Sequence, residues 1–220
     1  MKLKQQFSDQ DLSRIKAAVK NAEDKISGEI VPVIVERSGF YNIAIYKCAM
    51  IAAAVSFIGM IILDRYILSD ASNTLFYDPM VIFVVVVCGG LIGAGLTYWI
   101  DPIKRFFITQ QQLDYSTRLR AENVFLEEEV FNTKQRTGIL IFISFFEHEV
   151  IVMADRGINK VVEQKQWDQI VSGLVSHIRA GKIVEGLENA IRQCGDLLLE
   201  KGFVKADDDT NELGDDLRIN

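Results

Sequence analysis

The stretch that decides the fold is TGILIFISFFEHEVIVMADRG, residues 137–157. It holds two apolar runs, 139–143 and 150–154, parted by Glu147-His148-Glu149 and closed by Asp155-Arg156-Gly157. A helix needs roughly 20 apolar residues to cross a bilayer. Each run is far shorter, and three charge-capable residues break the pair. Short continuous apolar runs rich in branched residues read as strands buried on both faces. Residues 139–143 are therefore expected to form a central strand and 150–154 its hairpin neighbour. Glu147-His148-Glu149 reads as a solvated turn between them, because three adjacent residues on a tight turn point in different directions and do not converge on a metal.

Helical stripes flank the hairpin. On its C-terminal side, Trp167, Ile170, Val171, Leu174 and Ile178 mark one helix, and Val184, Leu187, Ile191, Cys194 and Leu198 a second. On its N-terminal side, Leu113, Leu119, Val124, Phe125 and Val130 form an inner helical face. At the chain start, Ser8 with Asp11 three residues on predicts a capping box, with Phe7 and Leu12 as its hydrophobic staple. Leu12, Ile15, Val19, Ala22 and Ile26 then make one face. Residues 29–36 (EIVPVIVE) read as a strand, and Pro32, which lacks a ladder donor, argues for an edge or irregular one. One helix and one strand cannot bury a core alone. Their partners must lie beyond the segment that follows. The fold predicted is α/β, a three-layer α/β/α sandwich split between residues 1–40 and 101–205.

The interruption is apolar. Residues 48–63 and 80–100 carry no charge. The second run is long enough to span a bilayer outright. The first is extended backwards through residues 43–46 if Lys47 reaches the headgroups. Residues 41–100 are thus expected to be an inserted two-helix transmembrane hairpin with a short external loop, 64–79. Arg65 is the single basic residue of that loop, whereas Arg37, Lys47, Lys104, Arg105 and Arg118 flank the other ends. The positive-inside rule then places both termini in the cytoplasm. Lys104, Arg105 and the apolar residues 106–108 read as an interfacial anchor. Gly89 and Gly93, with Gly59 and residues 52–54, allow close helix approach. That serves packing of the hairpin on itself or a homodimer face through Gly89 and Gly93.

Of the 220 residues, 49% are hydrophobic and 25% charged, and the net charge is −6. Most of that charge sits in residues 206–220, which read as an acidic disordered tail. The rest is close to neutral and has no basic excess for nucleic acid. No signal peptide is legible in the charged first 42 residues. The three cysteines show no metal-ligand spacing and fit a reducing compartment.

The element order, with the stretches FSDQDLSRIKAAVKNAEDKISGEIVPVIVE, RTGILIFISFFEHEVIVMADRGI and IRAGKIVEGLENAIRQCGDLL, resembles the TPM-domain family. That family includes thylakoid and photosystem-II repair proteins, a nicotinic-receptor auxiliary subunit and bacterial membrane proteins. The sequence resembles in particular bacterial members with the same inserted hairpin and a C-terminal NEL segment, here Asn211-Glu212-Leu213. The resemblance implies an α/β/α sandwich. It also implies either a role in assembling, repairing or modulating membrane complexes, or a weak acid-phosphatase activity. The sequence departs from the secreted members at Arg136-Thr137-Gly138, where they often carry an acidic residue just before the glycine. It departs again at Asp155-Arg156-Gly157, where their glycine-rich turn is reduced.

Asp155 is the main candidate for chemistry. At a strand end it could bind a divalent metal or attack phosphate, with Arg136 neutralising the phosphate charge. The plainer role is a turn cap. His177 reads as a partly buried structural histidine. Neither histidine is paired with a nucleophile, so a Ser-His or Cys-His mechanism has no support. Two functions follow from different classes: a module at the inner membrane, in contact with lipid, that interacts with membrane proteins in their assembly or quality control, and a metal-assisted phosphatase acting on phosphomonoesters at Asp155.

Overall fold

The computed structural model describes residues 3–67, 78–205 and 211–219. Two compact units emerge: residues 1–38 with 114–220, and residues 39–113. The junctions lie at 38/39 and 113/114 rather than at 40/41 and 100/101, because the segment after the second apolar helix packs with the hairpin. Most of the expected external loop, 68–77, lies outside the described residues.

The first unit is built on a four-stranded sheet in the order β3-β2-β1-β4. Helix α1 (Asp9–Glu23) precedes β1 (Glu29–Val35). The predicted capping box forms: Ser8 Oγ accepts the Asp11 amide at 3.2 Å, and Asp11 Oδ2 accepts the Ser8 amide at 3.0 Å. Helix α5 (Gln110–Glu127) leads to β2 (Gly138–Ser144), which runs parallel to β1 with Glu29 opposite Gly138. Strand β3 (Glu149–Ala154) returns antiparallel, pairing Ile139 with Ala154 and Ser144 with Glu149. A short α6 (Arg156–Asn159), α7 (Gln164–Arg179) and α8 (Ile183–Glu200) follow.

Strand side chains alternate between faces, and two cores result. Ile30, Ile34, Ile139, Ile141 and Ile143 pack under α1, α7 and α8, against Ile15, Val19, Leu174, Ile191 and Leu198 among others. Val31, Val33, Val35, Leu140 and Phe142 pack on the other face against Ala121 and Val124 of α5 and against Val130. The α/β/α layering is as expected, and β2, like β1, is buried on both faces. Leu119, expected on the inner face of its helix, is 45% exposed. The expected Val124, Phe125 and Val130 do reach the sheet, joined by Ala121.

Strand β1 is not an edge strand. It pairs along its length with β2, and on its other side Val33 and Ile34 pair with β4 (Arg218–Ile219). Pro32 is still accommodated by position. The Ile30 amide points away from β2, to the Glu23 side chain, and alternate residues of a strand direct their N–H groups to the same side. The missing donor of Pro32 thus falls where the two-residue β4 has not begun.

Strand β4 also corrects the reading of the tail. Residues 211–219 are docked on the first unit; residues 206–210 lie outside the described residues. The Glu29 carboxylate accepts the amides of Glu212 at 3.0 Å and Leu213 at 3.3 Å, and Arg218 pairs with Glu128 at 2.9 Å. Six acidic residues and a net negative charge looked like a solvated end. Specific acceptors and two ladder positions anchor it instead.

The second unit is a hairpin of α2 (Asn42–Ile62) and α3 (Pro79–Trp99), followed by α4 (Asp101–Phe106). Both long helices are apolar enough to cross a membrane. Met50, Val55, Met80, Phe83, Leu91 and Trp99 point outward, so little of either helix is buried within the chain. A Cβ on Gly93 would lie 2.6 Å from Ala52 Cβ and 2.9 Å from the Cys48 carbonyl, and one on Gly89 would collide with Ser56. Position 93 meets 48 and 52 while 89 meets 56, so the helices run antiparallel. Both glycines are used in packing the hairpin on itself. A Cβ on Gly59 would meet nothing of the other helix within 4 Å, so Gly59 takes no part in the close approach.

Candidate functional site

The antiparallel pairing of β2 and β3 brings the two predicted site residues together. Because Ala154 lies opposite Ile139, the next residue, Asp155, reaches the start of β2, and its amide donates to the Gly138 carbonyl at 2.9 Å. Arg136 sits two residues before that strand. Its backbone adopts a left-handed conformation, with φ at 58°, which turns the chain under Asp155.

The Asp155 carboxylate is 6% exposed and both oxygens are engaged. Oδ1 accepts the Arg156 amide at 2.7 Å and so caps α6. Oδ2 lies 3.0 Å from Arg136 Nε. That contact is an ion pair without an aligned hydrogen bond. The guanidinium is held from two further sides: Nη1 donates to the Phe131 carbonyl at 2.8 Å, and the group lies over the Phe131 ring, 5.6 Å from its centre. The Gly157 amide donates to the Arg136 carbonyl at 3.1 Å. A Cβ on Gly157 would stand 2.5 Å from that same oxygen, so the tight Asp155-Arg156-Gly157 turn requires glycine. The arrangement ties a turn to a strand. Asp155 has a cation beside it, where a metal ligand would need an open side. Among the described residues, no three His, Cys, Asp or Glu side chains are grouped to hold a metal ion.

Glu147-His148-Glu149 lies at the other end of the β2–β3 pair, and it is not a solvated turn. Glu147 is fully buried: it accepts the Ser38 amide at 2.9 Å and a short hydrogen bond from the Ser144 hydroxyl. The turn folds back onto the end of β1 instead of projecting outward. His148, with φ at 55°, is the exposed member. Glu149 faces Asp114 and Thr117 of α5. Burial, followed by the hydrogen bond and charge of Asp114, raises its carboxyl to about 7. His177 is structural: Nδ1 lies 2.9 Å from the Gly173 carbonyl, and its Cβ stands against Gly186 where α7 and α8 cross.

A second group of carboxyls was missed altogether. Glu23, the last residue of α1, is 6% exposed; Glu29 at the start of β1 is 7% exposed. Glu23 follows Val19 by four residues and so lies on the apolar stripe of its own helix. That position was the available signal. Cys194 is fully buried, and burial pushes its thiol up to about 12, so it is inert.

Residues 103–197 match the family model described as the TPM domain. Over those residues the chain is similar to the TPM domain. Among solved structures, the chain is similar to the NMR structure of the BA42 protein from the psychrophilic bacterium Bizionia argentinensis. The two share 19% identity with a TM-score of 0.58, covering 97% of this chain and 95% of that one. At that identity the likeness shows a shared fold. No curated protein matches the chain significantly. The family match begins at α4 and ends in α8, spanning the Arg136–Asp155 turn, the β2–β3 hairpin and the buried Glu147.

Proposed function

We propose that this protein is a membrane-anchored TPM domain that acts as an interaction module in the assembly or quality control of membrane proteins. The observation that carries the reading is the double tether. The chain leaves the α/β unit after Ser38 and returns at Asp114, and between these points α2 and α3 pack on each other as an apolar hairpin. Such a hairpin is stable with its apolar side chains in lipid rather than water. Two covalent connections then restrict the domain's orientation at the surface as well as its location. The charge distribution supports a cell inner membrane with both termini in the cytoplasm. Tyr98 and Trp99 are exposed at the end of α3, as interfacial aromatics would be.

The engagement of Asp155 favours this reading over the phosphatase. A nucleophilic or metal-binding Asp155 would have to leave both the Arg156 amide and Arg136. The test is photo-crosslinking in cells from an exposed position of the α/β unit, such as Gln169 or Arg192. A reproducible membrane-protein adduct is expected. Its absence, together with phosphomonoester hydrolysis that Asp155→Asn abolishes, would favour the enzyme.

A further inference from the structure

The Glu23 carboxyl is placed as few acidic side chains are. Oε1 accepts the Ile30 amide at 2.8 Å, while Oε2 is buried without a hydrogen-bond partner. An ionised carboxyl here would be a buried charge with one oxygen uncompensated. The charged groups around it come from every adjoining element. Lys20 and Asp24 belong to α1 and its cap, and Glu29 to β1. Lys205, after α8, donates to the Glu23 carbonyl at 3.1 Å and lies 3.9 Å from Asp24. Asp215 and Asn211 come from the C-terminal segment. All line one cavity of about 290 Å³. Burial, reinforced by Glu29 and Asp215, raises the Glu23 carboxyl to about 8, against the smaller opposing pull of the Ile30 amide and Lys205.

The C-terminal segment is held at this end of the sheet by backbone-amide acceptors, and further along by the Lys16–Asp216 and Arg218–Glu128 ion pairs and the two β4 ladder positions. Glu29 takes two consecutive amides, and Glu212 in turn accepts the Lys134 amide at 3.0 Å. Asn211 and Asp215 are joined to each other over the cavity. We propose that the segment 211–219 is a releasable strap, held on the sheet while Glu23 keeps its proton and let go when that proton passes to solvent. With Glu23 neutral, Asp24 has Lys205 beside it, Glu29 and Asp215 are the other negative groups that line the cavity, and Glu29 directs its charge to strap amides. An ionised Glu23 adds a further negative charge beside Glu29 and Asp215, which the Ile30 amide and Lys205 offset only in part. Departure of the strap removes Asp215 and admits water to the carboxylate. It leaves β2 and β3 untouched and frees the Glu29 carboxylate and the outer edge of β1. The docked state binds one more proton than the released state. The ratio of docked to released strap therefore falls as pH rises toward 8, at most about tenfold per pH unit.

The test is methyl NMR on the full chain in detergent micelles between pH 6 and 9, following Leu213 and Ile219 with Ile139 and Ile141 as core references. The strap methyls are expected to move to released positions as pH rises, with the core methyls fixed. Glu23→Gln is expected to stay docked throughout. Immobile strap methyls in the wild type, or the same movement in Glu23→Gln, would overturn the proposal. If Glu23→Gln does not fold, Asp215→Asn must raise the transition pH, and an unshifted transition would overturn it equally.

Discussion

Glu29 and Glu212 are 183 positions apart, yet the Glu29 carboxylate accepts the Glu212 amide at 3.0 Å, and its other oxygen takes the next amide in line. One side chain at the start of β1 thus fixes the register of the C-terminal segment. Glu29→Ala removes the acceptor for both amides, which costs on the order of 1–3 kcal/mol when donors are left unpaired. The expected outcome is a lower unfolding midpoint and loss of protease resistance at Arg218. Unchanged cleavage there would show that the two β4 ladder positions suffice.

The Arg136–Asp155 turn is read as structural. Asp155→Ala removes the cap of α6 and leaves Arg136 without its carboxylate, an effect of about 1–2 kcal/mol. Gly157→Ala should cost at least as much, since its Cβ would stand 2.5 Å from the Arg136 carbonyl. Thermal unfolding of the three proteins measures both. An Asp155→Ala protein as stable as wild type would mean that the carboxylate is kept for something other than the turn.

The strands were legible because their residues announce burial directly. The five apolar residues 139–143 can sit only where both faces are covered, and the structure puts them there. Capping by Ser8 and Asp11 was legible for a similar reason, as local geometry needs no distant partner. Glu147 was not legible. Its burial depends on Ser38, which the chain brings back only after β1 is laid beside β2. The docked tail was hidden in the same way: acidic composition describes a segment in water, whereas Glu29 and the free side of β1 supply partners that composition cannot reveal. Asp155 and Arg136 were named as a pair from strand order alone, and β-pairing brings them to 3.0 Å. Which oxygen meets which donor is a matter of backbone turn geometry.

Stability should fall as pH rises from about 5 to 8. Glu23 is raised by burial to about 8 and Glu149 to about 7, each from 4.5. Between those limits the folded state binds protons that the unfolded state has lost, so their contribution is full below 4.5 and gone above 8. For Glu23 the slope cannot exceed about 1.4 kcal/mol per pH unit. Trp167 fluorescence in a Trp99→Phe background follows unfolding of the α/β unit. Glu23→Gln should flatten the profile. A midpoint that climbs from pH 5 to 8 would refute the assignment.

The hairpin offers an internal control. Gly93→Val pushes α3 off Ala52 and Cys48 and should cost about 1–3 kcal/mol by overpacking. Gly59→Val meets open space and should cost far less. Thermal stability in detergent compares them. Equal effects would place the α2–α3 contact elsewhere.

The most direct test of the double tether is thiol labelling in intact cells with an impermeant reagent. Native Cys194 is buried and cannot serve as a probe. Single cysteines at Asp78, between the two apolar helices, and at Lys165, exposed on α7, can. In a membrane-integral, cysteine-depleted protein, Asp78→Cys should be labelled in intact cells and Lys165→Cys only after permeabilisation. Labelling of Lys165→Cys with Asp78→Cys protected would invert the orientation, and recovery of the whole protein in the soluble fraction would contradict the anchor itself.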